Sequence, residues 1–157
     1  MKKRTAFVGA ILCLIPLGQP LIIQTGVVLS TTALMLYAPE KARAEDGDFY
    51  FNRGNDKKRK GDFYGAISDY TKAIEINPND DDAFYNRGNS KNEIKDYYGS
   101  IYDYTKAIEI DSSQPDVFFN RGLSKKYVGD DKGACSDWRK ALSLGYKPAS
   151  KVVRDQC

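Results

Sequence analysis

One pattern recurs three times in this chain, at a fixed interval of 34 residues. Its clearest marker is the tripeptide Asn-Arg-Gly, at 52–54, 86–88 and 120–122. An aspartate followed by a large aromatic residue, and a lysine followed by an alanine, recur at the same interval. A fixed period of this length indicates one supersecondary unit stacked several times. Because such stacks present a long concave surface, the pattern favours a binding scaffold over an enzyme with a catalytic pocket.

Each unit is predicted to form two helices joined by a short turn. In the second half of the first unit, apolar residues fall at helical spacing and form one stripe, which comprises Ala66, Ile67, Tyr70, Ala73 and Ile74. Asp62, Asp96 and Asp130 stand just before the second helices and can cap their free amides. Asn77-Pro78 closes the first unit, since a residue before proline resists the helical conformation. We therefore predict helices over 47–60, 63–76, 81–94, 97–110, 115–128, 131–144 and 148–156.

The unit resembles the tetratricopeptide repeat, a pair of antiparallel helices, with copies at 47–80, 81–114 and 115–148. The small and aromatic residues that mark this family lie at matching places in all three copies: Gly54, Gly88 and Gly122; Ala66, Ser100 and Ala134; Tyr70, Tyr104 and Trp138; Ala73, Ala107 and Ala141. The sequence departs from the family in having lysine where tyrosine is usual, at Lys57, Lys91 and Lys125. The resemblance implies an all-α solenoid of three helix-turn-helix units, closed by a C-terminal capping helix over 148–157.

The resemblance also implies that the first helix of each unit lines a concave groove. The residues that it places there are Phe51, Asn52, Asn55, Tyr85, Asn86, Asn89, Phe119 and Asn120. An asparagine amide both donates and accepts, so a row of them can pair with the backbone of an extended peptide whatever its side chains are. The aromatic row would add apolar contact area. The alternative is that these residues are inherited through repeat duplication and only solvate an unused face.

The composition argues against catalysis and against cofactor or metal binding. The chain has no histidine, which removes the commonest acid–base residue and the commonest zinc ligand. No glycine-rich phosphate loop follows a predicted strand, and the glycines near 61, 65, 129 and 133 fall in predicted turns. We therefore predict a protein that is not an enzyme and that needs no cofactor.

Residues 1–44 differ from the rest of the chain and predict export. Lys2-Lys3-Arg4 is followed by apolar stretches, and Ala42-Arg43-Ala44 offers small residues at the two positions that a signal peptidase reads. We expect cleavage after Ala44, which leaves 45–157 as the mature repeat domain. The alternative is an uncleaved membrane anchor through Leu21–Ala38, a span barely long enough to cross a bilayer.

The apparent basicity of the chain belongs to this N-terminal segment. The whole chain has 24 basic and 21 acidic residues, and residues 1–44 hold five of the basic residues and one of the acidic residues. The mature chain would therefore carry a net charge of −1. Binding to nucleic acid loses its electrostatic support, so we expect no nucleic-acid partner.

Cleavage would leave Cys135 and Cys157 as the remaining cysteines. An even count in a chain bound for an oxidising compartment favours a disulfide. Cys135 replaces the isoleucine of the two earlier units, and Cys157 ends the capping helix, which should fold back over that position. We predict a bond between them. The alternative is that Cys135 is a small buried apolar residue and that Cys157 is a free thiol on a loose tail.

Together these features predict an exported scaffold that binds another protein or an extended peptide in its groove. We expect it outside the cytoplasmic membrane, in the periplasm, or in the thylakoid lumen if the organism is photosynthetic. A role in assembling an envelope or membrane complex rests on the resemblance alone. The alternative is a structural solenoid that has no peptide ligand and self-associates through its open first helix and groove.

Overall fold

The structure is a computed structural model that describes the backbone of residues 40–157 and the side chains of residues 46–157. Within that range it contains seven helices and no strand, which confirms the predicted all-α class. The helices are α1 (Glu40–Arg59), α2 (Phe63–Ile76), α3 (Asp81–Glu93), α4 (Tyr97–Ile110), α5 (Pro115–Tyr127), α6 (Asp131–Ser143) and α7 (Ala149–Gln156). Most of the predicted signal segment, including Leu21–Ala38, lies outside the described residues. From residue 40 onward, no helix is both long enough and apolar enough to cross a membrane.

Each helix packs mainly on its neighbours along the chain, as expected for a solenoid. The pairs α1–α2, α3–α4 and α5–α6 each form one unit, and α2 packs on α3 as α4 packs on α5. The last helix, α7, packs on α6 and buries Ala149, with Val152 and Val153 half-buried. It therefore closes the end of the stack, as predicted for a capping helix.

The predicted caps and apolar stripes are confirmed. Asp62 accepts the backbone amide of Gly65 at 2.9 Å, and Asp96 and Asp130 do the same at the starts of α4 and α6. On α2, Ala66, Tyr70 and Ala73 are fully buried, and the isoleucines beside them are half-buried. Local capping and burial of one face thus act together to fix the second helix of each unit.

The first helix begins earlier than the sequence predicted, at Glu40 rather than near residue 47. The prediction placed the start where the repeat begins, and that start is wrong. Residues 40–46 contain alanine, glutamate, lysine and arginine, which have high helix propensity, and no proline interrupts them. The helix therefore extends beyond the repeat on its N-terminal side. The predicted cleavage site after Ala44 falls within this extension.

A glycine on each first helix allows the paired helices to approach closely. A Cβ built on Gly88 would lie 2.8 Å from Cε1 of Tyr104, and one on Gly122 would lie 2.5 Å from Nε1 of Trp138. Tyr104 and Trp138 are almost completely buried. The aromatic ring therefore occupies the space that a side chain at the glycine would need, which explains why these two residues recur together.

Candidate functional site

The predicted groove residues meet across neighbouring units. On α3, residues 82, 85, 86, 89 and 92 lie on one face of the helix because they are three or four positions apart. Hydrogen bonds connect this face to both neighbouring first helices: Lys58 on α1 donates to the Asn86 side chain, and Asn120 on α5 donates to Tyr85 and Asn89. The three first helices therefore form one continuous surface.

Two asparagines of this surface are held in place by buried tyrosines. The Tyr70 hydroxyl donates to Oδ1 of Asn55 at 2.7 Å, and the Tyr104 hydroxyl donates to Oδ1 of Asn89 at 2.7 Å. Tyr70 and Tyr104 are fully buried, so their hydroxyls need these acceptors. The bond also fixes each amide with its NH2 group turned away from the tyrosine that holds it, and the Asn89 side chain lies beside the Tyr85 hydroxyl as well.

In the third unit, the buried aromatic side chain finds a hydrogen-bond acceptor without an asparagine. Trp138 replaces the tyrosine, and its indole Nε1 donates to the backbone carbonyl of Phe119 at 3.2 Å. Leu123 stands where the earlier units have Asn55 and Asn89. Because the indole finds a backbone acceptor, no side-chain acceptor is required at that position. The exchange of asparagine for leucine thus follows the exchange of tyrosine for tryptophan.

Asn86 lies at the centre of the groove, and its side-chain amide already makes hydrogen bonds within the protein. Its Nδ2 donates to the backbone carbonyl of Asp82 at 2.9 Å, and its Oδ1 accepts from Nζ of Lys58 at 2.6 Å. Lys58 is half-buried, and burial lowers the pKa of its ammonium group. Asn120 donates to the Tyr85 hydroxyl at 3.0 Å and to Oδ1 of Asn89 at 3.3 Å. The asparagine row is therefore a connected network and not a set of separate amides.

The aromatic residues form part of the groove floor. Phe51, Tyr85 and Phe119 are half-buried, whereas the sequence interpretation treated them as an exposed row. Their ring centroids lie 5.9, 6.0 and 5.0 Å from those of Tyr70, Tyr104 and Tyr146 respectively. Burial raises the pKa of Tyr85 to about 12, and the nearby Asp116 acts in the same direction. The Tyr85 hydroxyl therefore keeps its proton at physiological pH. Asn52, by contrast, is exposed on α1.

A second recurring network was missed in the sequence. In each unit, one buried aspartate of the second helix accepts two hydrogen bonds from an arginine of the first helix and forms an ion pair with a lysine of the same helix. The three sets are Asp69 with Arg53 and Lys57, Asp103 with Arg87 and Lys91, and Asp137 with Arg121 and Lys125. The lysines are those that depart from the family pattern. The lysines and the aspartates both recur every 34 residues, and this common interval was the sequence signal that could have revealed the ion pairs between them.

This network also joins one unit to the next. Nη1 of Arg87 donates to Oγ1 of Thr71 in the preceding unit at 3.1 Å, and Arg121 makes the same bond to Thr105. Arg53 belongs to the first unit, and its guanidinium lies over the rings of Phe49 and Tyr50 instead. The arginines therefore fix the angle between units and, through it, the shape of the groove.

The two cysteines lie at the far end of the stack, away from the groove residues. Their sulfur atoms are bonded at 2.07 Å, with the Cα atoms 5.6 Å apart. Cys135 on α6 is half-buried and Cys157, after α7, is exposed. The arrangement ties the C-terminus to the last unit. That this bond forms in the protein from its native host stays a prediction.

Comparisons with known proteins agree with the repeat. A family model described as TPR repeat matches residues 54–91. Among solved structures, the Arabidopsis OM64 TPR domain is 26% identical with a TM-score of 0.68 and covers 73% of this chain and 99% of its own. The second TPR domain of human RPAP3, solved in complex with the HSP70 peptide SGPTIEEVD, is 26% identical with a TM-score of 0.66, covering 74% of this chain and 96% of its own. A comparison with curated protein sequences found no match.

The fold and its groove define an all-α solenoid of helix-turn-helix repeats with a capping helix. The repeated sequence pattern, the family match and the structural neighbours together show which kind of solenoid it is. Residues 54–91 match the tetratricopeptide repeat, and the fold of the described residues is similar to that of solved TPR domains.

Proposed function

We propose that this protein is a non-catalytic scaffold that binds an extended segment of another protein in the groove formed by α1, α3 and α5. The observation that carries the proposal is the orientation of Asn55 and Asn89. Each has its amide oxygen held by a buried tyrosine hydroxyl at 2.7 Å, so its NH2 group is presented as a fixed donor. A donor that is fixed in advance loses little side-chain entropy when it binds a peptide carbonyl.

The neighbours support the same mode of action. The RPAP3 domain was solved with a bound peptide, and its backbone superimposes on most of this chain. The floor of the groove, with Phe51, Tyr85 and Phe119 half-buried, offers apolar area between the polar edges. Backbone pairing by asparagine and contact with aromatic rings together suit an extended segment of loosely specified sequence.

The test uses a substitution that removes the donors and keeps the fold. Asn89→Asp preserves an oxygen acceptor for Tyr104 and removes both NH2 donors. An uncharged peptide, selected from a random display library against the wild-type protein, is titrated by fluorescence anisotropy. We expect about fivefold weaker binding or more, because each lost hydrogen bond contributes about 1 kcal/mol. Gln156→Glu, on the exposed face of the capping helix α7, adds the same charge away from the groove and should leave the affinity unchanged.

Equal affinity of the wild-type and Asn89→Asp proteins would remove the basis of the proposal. The broader variant is the triple alanine substitution of Asn52, Asn86 and Asn120. If its circular dichroism spectrum is native and its peptide affinity is also unchanged, the groove is not the binding surface.

We further propose that the scaffold acts outside the cytoplasmic membrane, where it could serve the assembly of an envelope or membrane complex. The support is the basic start, the apolar stretches and Ala42-Arg43-Ala44 in the sequence. Mass spectrometry of the protein from its native host should find Glu45 as the first residue. A full-length chain that is extracted only with detergent would instead favour the anchor through Leu21–Ala38.

A specific observation also favours the second candidate function, self-association through the open first helix. Phe49 on α1 is 56% exposed, whereas the corresponding residues of the next units, Ala83 and Val117, are buried. The same face of α1 has no preceding unit within the described residues. Sedimentation over a concentration series separates the two functions: assembly without a peptide, lost in Phe49→Ser, supports self-association, and a monomer at all concentrations excludes it.

A further inference from the structure

The edge of the groove formed by the N-terminal halves of the first helices carries an unusual concentration of carboxylates. We define this acidic edge by its six members, which come from α1, α3, α5 and the turns between units: Asp48, Asp80, Asp81, Asp82, Asp111 and Asp116. The edge runs across all three units, so it follows the path that an extended segment would take along the groove.

These six carboxylates are not neutralised by the protein. None of them has a lysine or arginine nitrogen within ion-pair distance among residues 46–157. Elsewhere the same protein pairs its carboxylates: the buried Asp69, Asp103 and Asp137 each hold both an arginine and a lysine. Asp81 contacts a neutral amide, that of Gln114. The arginines and lysines that hold these three aspartates are therefore directed into each unit, and the acidic edge is left without a basic partner.

The carboxylates of the edge also lie close enough to repel one another. Burial raises the pKa of Asp82, and the charges of Asp81, Asp116 and Asp111 raise it further. Burial likewise raises the pKa of Asp80, with Asp82, Asp81 and Asp48 acting in the same direction. A cation placed between these groups would relieve that repulsion.

Helix capping explains only part of the edge. Asp80 accepts the backbone amide of Ala83 and Asp111 accepts that of Ser113, so these two have a local structural role. Asp48 has none of this kind, because it lies inside α1, well after the first residue of that helix at Glu40. Its carboxylate neither caps a helix nor meets the positive end of a helix dipole.

The acidic edge is continuous with the groove network. The backbone carbonyl of Asp82 accepts from Asn86, and the charge of Asp116 raises the pKa of the groove residue Tyr85. A segment that pairs with the asparagines would therefore carry every second side chain towards these carboxylates, since successive side chains of an extended chain point to opposite sides.

We propose, on the basis of the function proposed above, that the partner segment carries lysine or arginine side chains, which lie along the acidic edge of the groove. The bound RPAP3 domain differs in its ligand, because the peptide SGPTIEEVD is acidic at its end. An acidic tail of that kind would meet repulsion here. Charge complementarity thus assigns this groove to a basic extended segment of another protein.

The test compares three synthetic peptides of equal length, with blocked ends, that alternate threonine with lysine, glutamate or glutamine. Binding is measured by fluorescence anisotropy at low salt and again at high salt. The lysine peptide should bind most tightly, by about fivefold for each carboxylate that it neutralises, which is the upper range for an exposed ion pair. Added salt should reduce that preference, because it screens exposed charges.

The variant Asp82→Asn with Asp116→Asn removes two charges from the edge, and Glu75→Gln with Glu109→Gln removes two charges from the second helices as a control. The first pair should lower the affinity for the lysine peptide and leave that for the glutamine peptide unchanged, and the control should change neither. Equal or tighter binding of the glutamate peptide would overturn this inference while leaving peptide binding itself in place. If none of the three peptides binds, both the basic partner and the proposed function are overturned.

Discussion

The bond between Tyr104 and Asn89 offers a quantitative test of how the groove is built. The Tyr104 side chain is fully buried, and its hydroxyl donates to Oδ1 of Asn89 at 2.7 Å. Burial raises the pKa of Tyr104, as expected for a hydroxyl removed from water. Asn89→Leu removes the acceptor and leaves this hydroxyl unpaired, at a cost of about 1–3 kcal/mol in the free energy of unfolding.

Tyr104→Phe removes the hydroxyl itself, so the loss of the acceptor should then cost little. Asn120, which also donates to Asn89, keeps the Tyr85 hydroxyl as an acceptor when Asn89 is replaced. When Tyr104→Phe is already present, adding Asn89→Leu should therefore change the free energy of unfolding by less than about 0.5 kcal/mol. The two substitutions are thus expected to couple by about 1–2 kcal/mol. The third unit already has an equivalent combination, in which Leu123 replaces the asparagine and Trp138 replaces the tyrosine.

The assay is urea denaturation of the wild type, both single variants and the double variant, followed by circular dichroism. Equal slopes against urea would show that the substitutions change stability and not the extent of unfolding. As a control, Leu123→Asn should raise the free energy of unfolding very little, since the Trp138 indole already donates to the Phe119 carbonyl. A coupling energy within error of zero would show that the tyrosine does not hold the asparagine, and the case for a fixed donor would fail.

Three further results are expected. Because hydrogen bonds from Arg53 and Lys57 hold the pKa of Asp69 at about 2, below its ordinary 3.8, the folded protein binds this proton less readily than the unfolded chain. Stability from this group, about 2 kcal/mol, is present above pH 3.8 and is lost as the pH falls towards 2, and the loss measured by urea titration should shrink in Asp69→Asn. Lys95 has a φ of 64°, where the other units have glycine, so Lys95→Gly should raise the thermal midpoint, and an unchanged or lower midpoint would contradict this. Reduction of the Cys135–Cys157 bond, which closes a loop of 22 residues, should cost roughly 3 kcal/mol of unfolding free energy. Two reactive thiols in denatured, unreduced protein from its native host would reject that bond.

Much of the fold could be predicted because its signals are local and repeated. The aspartates at 62, 96 and 130 cap the helices that follow them, and the recurring glycine–aromatic pair fixes how each helix pair packs. The start of α1 at Glu40 could not be placed in this way. Residues 40–46 lie before the first repeat, so the repeat pattern carries no information there, and only helix propensity extends the helix.

The chemistry of the groove was only partly accessible from the sequence. The asparagine and aromatic positions follow from the repeat register, and hydrogen bonds do connect the asparagines of α3 and α5. Which groups of Asn89 remain available depends on the buried Tyr104 hydroxyl, a contact over 15 residues that no local pattern records. The pairing of Asp103 with Arg87 and Lys91 is similar, since it joins two helices of one unit.

Chemical-shift mapping tests the central claim of peptide binding in the groove most directly. The isotopically labelled repeat domain, residues 45–157, is titrated with a peptide selected from a random display library, and backbone and side-chain amide signals are followed by NMR. The side-chain NH2 signals of Asn55 and Asn89 and the backbone amides of α1, α3 and α5 should shift with one common dissociation constant. Shifts confined to the outward faces of α2, α4 and α6, with the Asn55 and Asn89 side-chain signals unmoved, would contradict the account.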